Sequence, residues 1–143
     1  MTRLFGTDGI RGRAGTELTA DLAFRVGRVS AGYFLERGIR RVVLARDTRV
    51  SGPMLASAFL SGVTSVGADA IDLGIAPTPA VSVLIALGET ESAFGCVVSA
   101  SHNPYHDNGI KLFSPNGGKL PVSDEEALER RLHMAAELDA ADH

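Results

Sequence analysis

Ala93-Phe-Gly-Cys-Val-Val98 runs directly into Ser99-Ala-Ser-His-Asn-Pro-Tyr-His-Asp-Asn-Gly-Ile-Lys111, and this stretch decides how the chain is read. The first part has no polar side chain and is short, which predicts a buried strand. A polar loop carrying a hydroxyl, two imidazoles and an amide then leaves its C-terminal end. In open α/β sheets, ligands and chemistry gather at that end of the strands. Asn103-Pro104 predicts a turn, because the residue before proline is driven out of the helical region. Asn108-Gly109 predicts a second bend, followed by a short apolar run over Ile110 to Phe113. Ser101 is thereby placed near the tip of a loop pinned at both ends, with Lys111 on the returning segment.

Working outward, strand and helix patterns alternate. Thr19 can cap a helix whose Leu22, Val26, Val29 and Tyr33 recur at helical spacing, and Gly38 can end it. Arg41 to Ala45 reads as a strand. Ser51-Gly-Pro53 opens a second helix with Leu55, Phe59, Gly62 and Val66 on one face, and Gly67 stops it. Ala70 to Leu73 is a short strand. Thr78-Pro79 opens a helix to about Leu87, with Gly88 as its stop. Asn116-Gly-Gly118 predicts a turn, and Ser123-Asp-Glu-Glu126 a capping box before a helix carrying Leu128, Leu132 and Ala135. This alternation predicts an α/β fold: a mostly parallel, mixed sheet with helices on both faces, in three α/β/α layers. Residues 1–138 are expected to form one domain and 139–143, small and acidic, a disordered tail.

Composition narrows the function classes. The chain has 143 residues, enough for one domain, with 45% hydrophobic and 22% charged residues. A formal net charge of −3 provides no basic field to favour nucleic acid. A lone cysteine, Cys96 within the apolar strand, excludes an internal disulfide framework and reads as a small buried hydrophobe. No run approaches the ~18 apolar residues that would span a membrane, and the polar N-terminus lacks a signal-peptide core. A cytoplasmic protein with no membrane or nucleic-acid partner is the expectation.

The loop residues leave several chemistries open. Acyl transfer by Ser101, His102 and Asp107 is disfavoured, because side chains of adjacent residues in an extended loop diverge and no Gly-x-Ser-x-Gly elbow is present. A transition-metal pair of His102 and His106 lacks a third ligand nearby. His133 and His143 read as surface and tail residues. Lys111, ten positions after Ser101, can fold back to the same site, or can be a plain surface lysine. Arg11 follows Gly6 and Gly9, which let backbone approach an anion closely; its plain alternative is a surface or ion-paired arginine. Arg46-Asp-Thr-Arg49 also leaves a strand end, and a structural ion pair is favoured there over a place in the site wall. Ser114 to Lys119 reads as a plain turn whose position suggests an interdomain contact.

Taken together, Ala100-Ser-His-Asn-Pro104 with Asn108-Gly-Ile-Lys111, Arg3-Leu-Phe-Gly-Thr-Asp-Gly-Ile-Arg-Gly12, Arg46-Asp-Thr-Arg49 and Ser114-Pro-Asn-Gly-Gly-Lys119 resemble the α-D-phosphohexomutases. The resemblance runs from Arg3 to about Leu138 and covers the first of the family's four domains. It is nearest to the members that act on glucosamine phosphate; the branches acting on mannose or glucose phosphate, and a non-catalytic assembly or dimerisation module, are the alternatives.

The resemblance implies a phosphoserine at Ser101. Such a group carries roughly −1.5 to −2 charges near neutral pH, and Mg²⁺ is the implied cofactor, with Ser101 contributing a ligand through its phosphate. Three aspartates of an Asp-x-Asp-x-Asp-Arg loop in the family's second domain would complete the set, and no such string occurs in this chain. Arg11 and Lys111 are implied as cationic catalytic residues, His102 as a catalytic residue that orients the serine or shuttles a proton, and Asn103 as a substrate-binding residue. The implied reaction interconverts glucosamine 6-phosphate and glucosamine 1-phosphate through a bisphosphate. The implied partners are the phosphosugar and the second to fourth domains, with homodimerisation left open. The first domain alone is expected to be inactive.

Overall fold

The structure is a computed structural model that describes residues 3–88 and 92–141, the last three of these by their backbone alone. The elements are, in order, β1 (Ile10–Arg13), α1 (Ala20–Leu35), β2 (Arg41–Arg46), α2 (Gly52–Ser65), β3 (Asp69–Ile75), α3 (Thr78–Ala86), β4 (Ala93–Val98), β5 (Asp107–Phe113) and α4 (Val122–Ala141). The five strands form one mixed sheet in the order β1-β5-β4-β2-β3. β2 runs parallel to β3 and β4, whereas β5 is antiparallel to both β4 and β1.

The alternation of side chains along β2 divides the core into two layers. Val42 and Leu44 join Phe94, Cys96 and Val98 of β4 under α1, α2 and α4. Val43 and Ala45 join Ala93, Val97 and Phe113 under Val81 and Ile85 of α3. Three helices therefore cover one face and one helix the other, which is the three-layer arrangement predicted. Phe34 of α1 stacks on Phe94 of β4 at 4.5 Å between ring centroids, fixing helix to sheet.

Local chemistry accounts for the helix ends. Thr19 Oγ1 accepts from the Leu22 amide at the start of α1. Gly38, Gly67 and Gly88 take positive φ after α1, α2 and α3. At α4 the expected capping box does not form: the helix begins at Val122, so Ser123 lies inside its first turn, and the Pro121 carbonyl accepts from the amides of Asp124 and Glu125. The helix also continues to Ala141, through the first part of the expected tail; Asp142 and His143 lie outside the described residues.

Two further readings are corrected. Ile10–Arg13 forms a strand that the sequence pattern does not announce. Asn108-Gly109 is not a bend but part of β5, paired with Gly12 and Arg11. Asn108 is fully buried there, its Nδ2 donating to Ser51 Oγ at 2.8 Å.

The topology creates a crevice at one point of the sheet. β2 leads through α2 on one face, and the chain reaches β4 through α3 on the other, so connections diverge between adjacent strands. The register sets Arg46 opposite Val98, and the loops after β2 and β4 leave side by side. Ligand sites of open α/β sheets form at such a switch point.

Candidate active site

Ser101 occupies the tip of the loop after β4, exposed, with φ +53°. Among the described residues it alone, apart from glycines, has positive φ. A side chain in this region is costly, and such strain collects at functional sites when the surroundings enforce it. Here they do. The Ser101 amide donates to Ser99 Oγ at 3.1 Å, and Ser99 Oγ donates to Asp47 Oδ2 at 2.8 Å. Arg49, on the loop after β2, donates to the carbonyls of Ser101, Asn103, Pro104 and Asp107, and through Nε to Asp47 Oδ2 at 3.1 Å. Within the loop, the Asn103 amide donates to the Ala100 carbonyl and the Asp107 amide to the Pro104 carbonyl, forming the turn that Asn103-Pro104 predicts.

Ser101, Lys111 and Arg11 converge on one cleft of about 250 Å³, lined also by Asp8, Thr78, Val97 and Ser99. The sheet register explains the convergence. Lys111 pairs with Val97 across β4–β5, and Arg11 with Gly109 across β1–β5. Alternation puts Lys111, Phe113 and Gly109 on the face covered by α3. The ammonium of Lys111 stands 5.5 Å from the Phe113 ring centroid, and the residue is half-buried. Thr78 is the first residue of α3, so the positive end of that helix dipole lies at the cleft. Two cations and a helix N-terminus beside a hydroxyl suit a phosphoryl group.

Close backbone packing holds the two cation-bearing segments together. A Cβ on Gly9 would lie 2.3 Å from the Ile110 carbonyl oxygen, and Gly9 itself has φ +88°. No other residue fits that turn, which directs Asp8 and Arg11 to the cleft.

The remaining expected site residues are placed as follows. Asn103 joins the cluster through Oδ1, which accepts from Arg11 Nη1 at a long 3.4 Å. His102 is exposed beside Ser101 and is not among the residues lining the cleft. Asp107 lies 3.5 Å from His106, so the acyl-transfer grouping with His102 gains no support. No cluster of three His, Cys, Asp or Glu side chains able to hold a metal occurs among the described residues. His133 is half-buried rather than on the surface, with Nε2 2.9 Å from Glu129 Oε2. The Ser114–Lys119 turn packs against α3: a Cβ on Gly117 would lie 2.6 Å from the Ser82 carbonyl oxygen. Burial pushes the Cys96 thiol far up, as an inert core residue requires.

Two cleft residues are not singled out by the sequence pattern, and a third residue does more than the pattern suggests. Asp8 and Thr78 line the site although neither stands out as a candidate from its neighbours in the chain. Arg49 makes the expected ion pair with Asp47, yet four of its hydrogen bonds go to the serine loop.

Residues 2–139 match the family model described as phosphoglucomutase/phosphomannomutase, alpha/beta/alpha domain I. The chain belongs to that family. Among relatives of this phosphoglucomutase/phosphomannomutase domain, the phosphoglucosamine mutase of Alkaliphilus metalliredigens is 53% identical over 90% of the chain and 29% of its own length. That of Sphingopyxis alaskensis is 48% identical over the whole chain and 32% of its own length. The chain thus spans under a third of these relatives. In three dimensions it resembles a phosphoglucomutase/phosphomannomutase family protein from Burkholderia thailandensis, with TM-score 0.81, 34% identity and 93% of this chain and 30% of that one covered. A structure from Thermus thermophilus titled putative phosphomannomutase gives TM-score 0.82 at 28% identity, covering 92% and 30%.

Proposed function

We propose that this chain is the phosphoserine-bearing domain of a phosphoglucosamine mutase. The observation that carries the reading is Ser101, strained and braced at the mouth of a cleft that also receives Arg11 and Lys111. The names of the relatives at about half identity direct the choice of sugar.

In the proposed reaction the Oγ–P bond of phospho-Ser101 breaks as a P–O bond forms to the 1-hydroxyl of glucosamine 6-phosphate. The hydroxyl proton passes to a base, for which the exposed imidazole of His102 is the adjacent candidate. The bisphosphate reorients, and its 6-phosphoryl group returns to Ser101 Oγ, leaving glucosamine 1-phosphate. Arg11 and Lys111 hold charge on the phosphoryl oxygens during both transfers, and Asn103 contributes to binding of the sugar. Mg²⁺, a hard cation, would be held through an oxygen of the phosphate on Ser101 together with further oxygen ligands, which no trio of described side chains supplies. The chemistry it would supply there is neutralisation of charge on the phosphoryl group. The partners are the phosphosugar and the rest of the polypeptide, with homodimer formation open. No described helix is long and apolar enough to cross a membrane, and the cytoplasm is the proposed location.

A coupled assay tests the reading. The full-length protein, given Mg²⁺ and a hexose bisphosphate activator, is expected to convert glucosamine 6-phosphate, and these 143 residues alone to stay at background. Preference for mannose or glucose phosphates would reassign it to a sibling activity. No turnover of any phosphosugar would favour a non-catalytic module.

A further inference from the structure

The Arg49 guanidinium has five N–H donors, and all five are engaged. Nε donates to Asp47 Oδ2 at 3.1 Å. Nη1 donates to the carbonyls of Pro104 at 2.7 Å and Asp107 at 3.1 Å. Nη2 donates to those of Ser101 at 2.8 Å and Asn103 at 3.0 Å. The side chain is only 11% exposed. A cation with no donor left cannot also grip a phosphate. It differs in this from Arg11, which reaches the cleft and whose contact with Asn103 is long.

We infer that Arg49 is a positioning residue: with Asp47 and Ser99 it locks the Ser101 loop in the geometry for phosphoryl transfer. The inference rests on the phosphoserine reading above. The brace grips the strained residue from both sides, since Arg49 takes the Ser101 carbonyl and Ser99 Oγ takes the Ser101 amide. Asp47 links these two grips, accepting from both Arg49 and Ser99 through the same oxygen. Asp47 is itself fixed to the sheet, its amide donating to the Val98 carbonyl at 3.2 Å. The left-handed turn at Ser101 is thereby referred to the end of β4 rather than left to the loop. In-line transfer depends on such alignment, and a displacement of about 1 Å can cost ~10²-fold in rate.

The planar fork is essential to the device. Lysine has three donors on a flexible stem and cannot span four carbonyls and a carboxylate. In the full-length enzyme, Arg49→Lys is expected to lower kcat about 10²-fold with KM changed less than about twofold. Amide hydrogen exchange over residues 101–107 is expected to rise while exchange in β2 and β4 stays unchanged. Ser99→Ala, which removes two hydrogen bonds and no charge while leaving the five of Arg49 in place, is expected to give a smaller effect of the same pattern. The exchange measurement does not depend on which sugar is turned over. Unaltered loop exchange in both variants overturns the brace even if the wild-type enzyme acts on another substrate. Faster loop exchange with wild-type kcat overturns the positioning role. Loss of protection across the whole sheet in both variants would show Arg49 and Ser99 to be general stabilisers and contradict the inference.

Discussion

Arg11 and Gly109 face each other across the antiparallel β1–β5 ladder, and the side chain of Arg11 uses the space that Gly109 leaves open. A Cβ on Gly109 would lie 3.1 Å from Arg11 Cγ and 2.7 Å from the Ser99 carbonyl oxygen. One missing methyl group thus serves both a cation of the cleft and the base of the serine loop. Gly109→Ala is expected to destabilise the fold by about 1–3 kcal/mol, as overpacking does. It should lower kcat more than the loss of stability explains, because both displaced groups border the cleft. Thermal denaturation and steady-state kinetics on the same preparation check this. Unchanged kcat in a folded variant would show that neither displacement reaches the reacting atoms.

The two cations are expected to act on charge that moves during transfer. Arg11→Ala and Lys111→Ala should each lower kcat by about 10²–10³ and raise KM less, the pattern of an interaction made mainly in the transition state. Lys111→Arg should also be impaired, because Lys111 is half-buried where it lines the cleft and a planar fork does not replace a compact ammonium there. Kinetics of the three variants, with folding checked by circular dichroism, test this. Near-normal kcat in all three would return both residues to the ordinary surface.

The chain shows unevenly how far residue pattern reaches. The first three helices are legible because each has periodic apolar positions and a terminating glycine, Gly38, Gly67 or Gly88, whereas both ends of α4 are misread for want of such local signals. β1 is not, because Ile10-Arg-Gly-Arg13 has one apolar residue and exists through pairing with the distant β5. Asn108-Gly109 has the composition of a turn, but tertiary demands override it: Asn108 is needed to bond Ser51 in the interior, and Gly109 to admit Arg11. Ser101, Lys111 and Arg11 are found through motifs. Arg49 reads as an ion pair because bonds to backbone carbonyls leave no trace in the identity of the residues that accept them. Asp8 could be found as the acidic neighbour of the Gly9 turn that carries Arg11.

The packing of α1 on α2 depends on backbone contact at two glycines. A Cβ on Gly27 would lie 2.0 Å from the Phe59 carbonyl oxygen, and one on Gly62 2.1 Å from that of Phe24. Neither obstacle is a flexible side chain, so the helices must part. Gly27→Ala and Gly62→Ala are each expected to destabilise by at least about 1–3 kcal/mol despite the better helix propensity of alanine. Urea denaturation followed by circular dichroism measures the effect, and unchanged midpoints would show that the helices separate at little cost.

The central claim is that Ser101 carries the transferable phosphoryl group. Peptide mass spectrometry of the full-length protein, with activity of Ser101→Ala measured alongside, tests it most directly. Phosphate is expected on the peptide containing Ser101, localised to that hydroxyl, with mutase activity of Ser101→Ala at background. Phosphate localised to another serine, together with full activity of Ser101→Ala, would contradict the account.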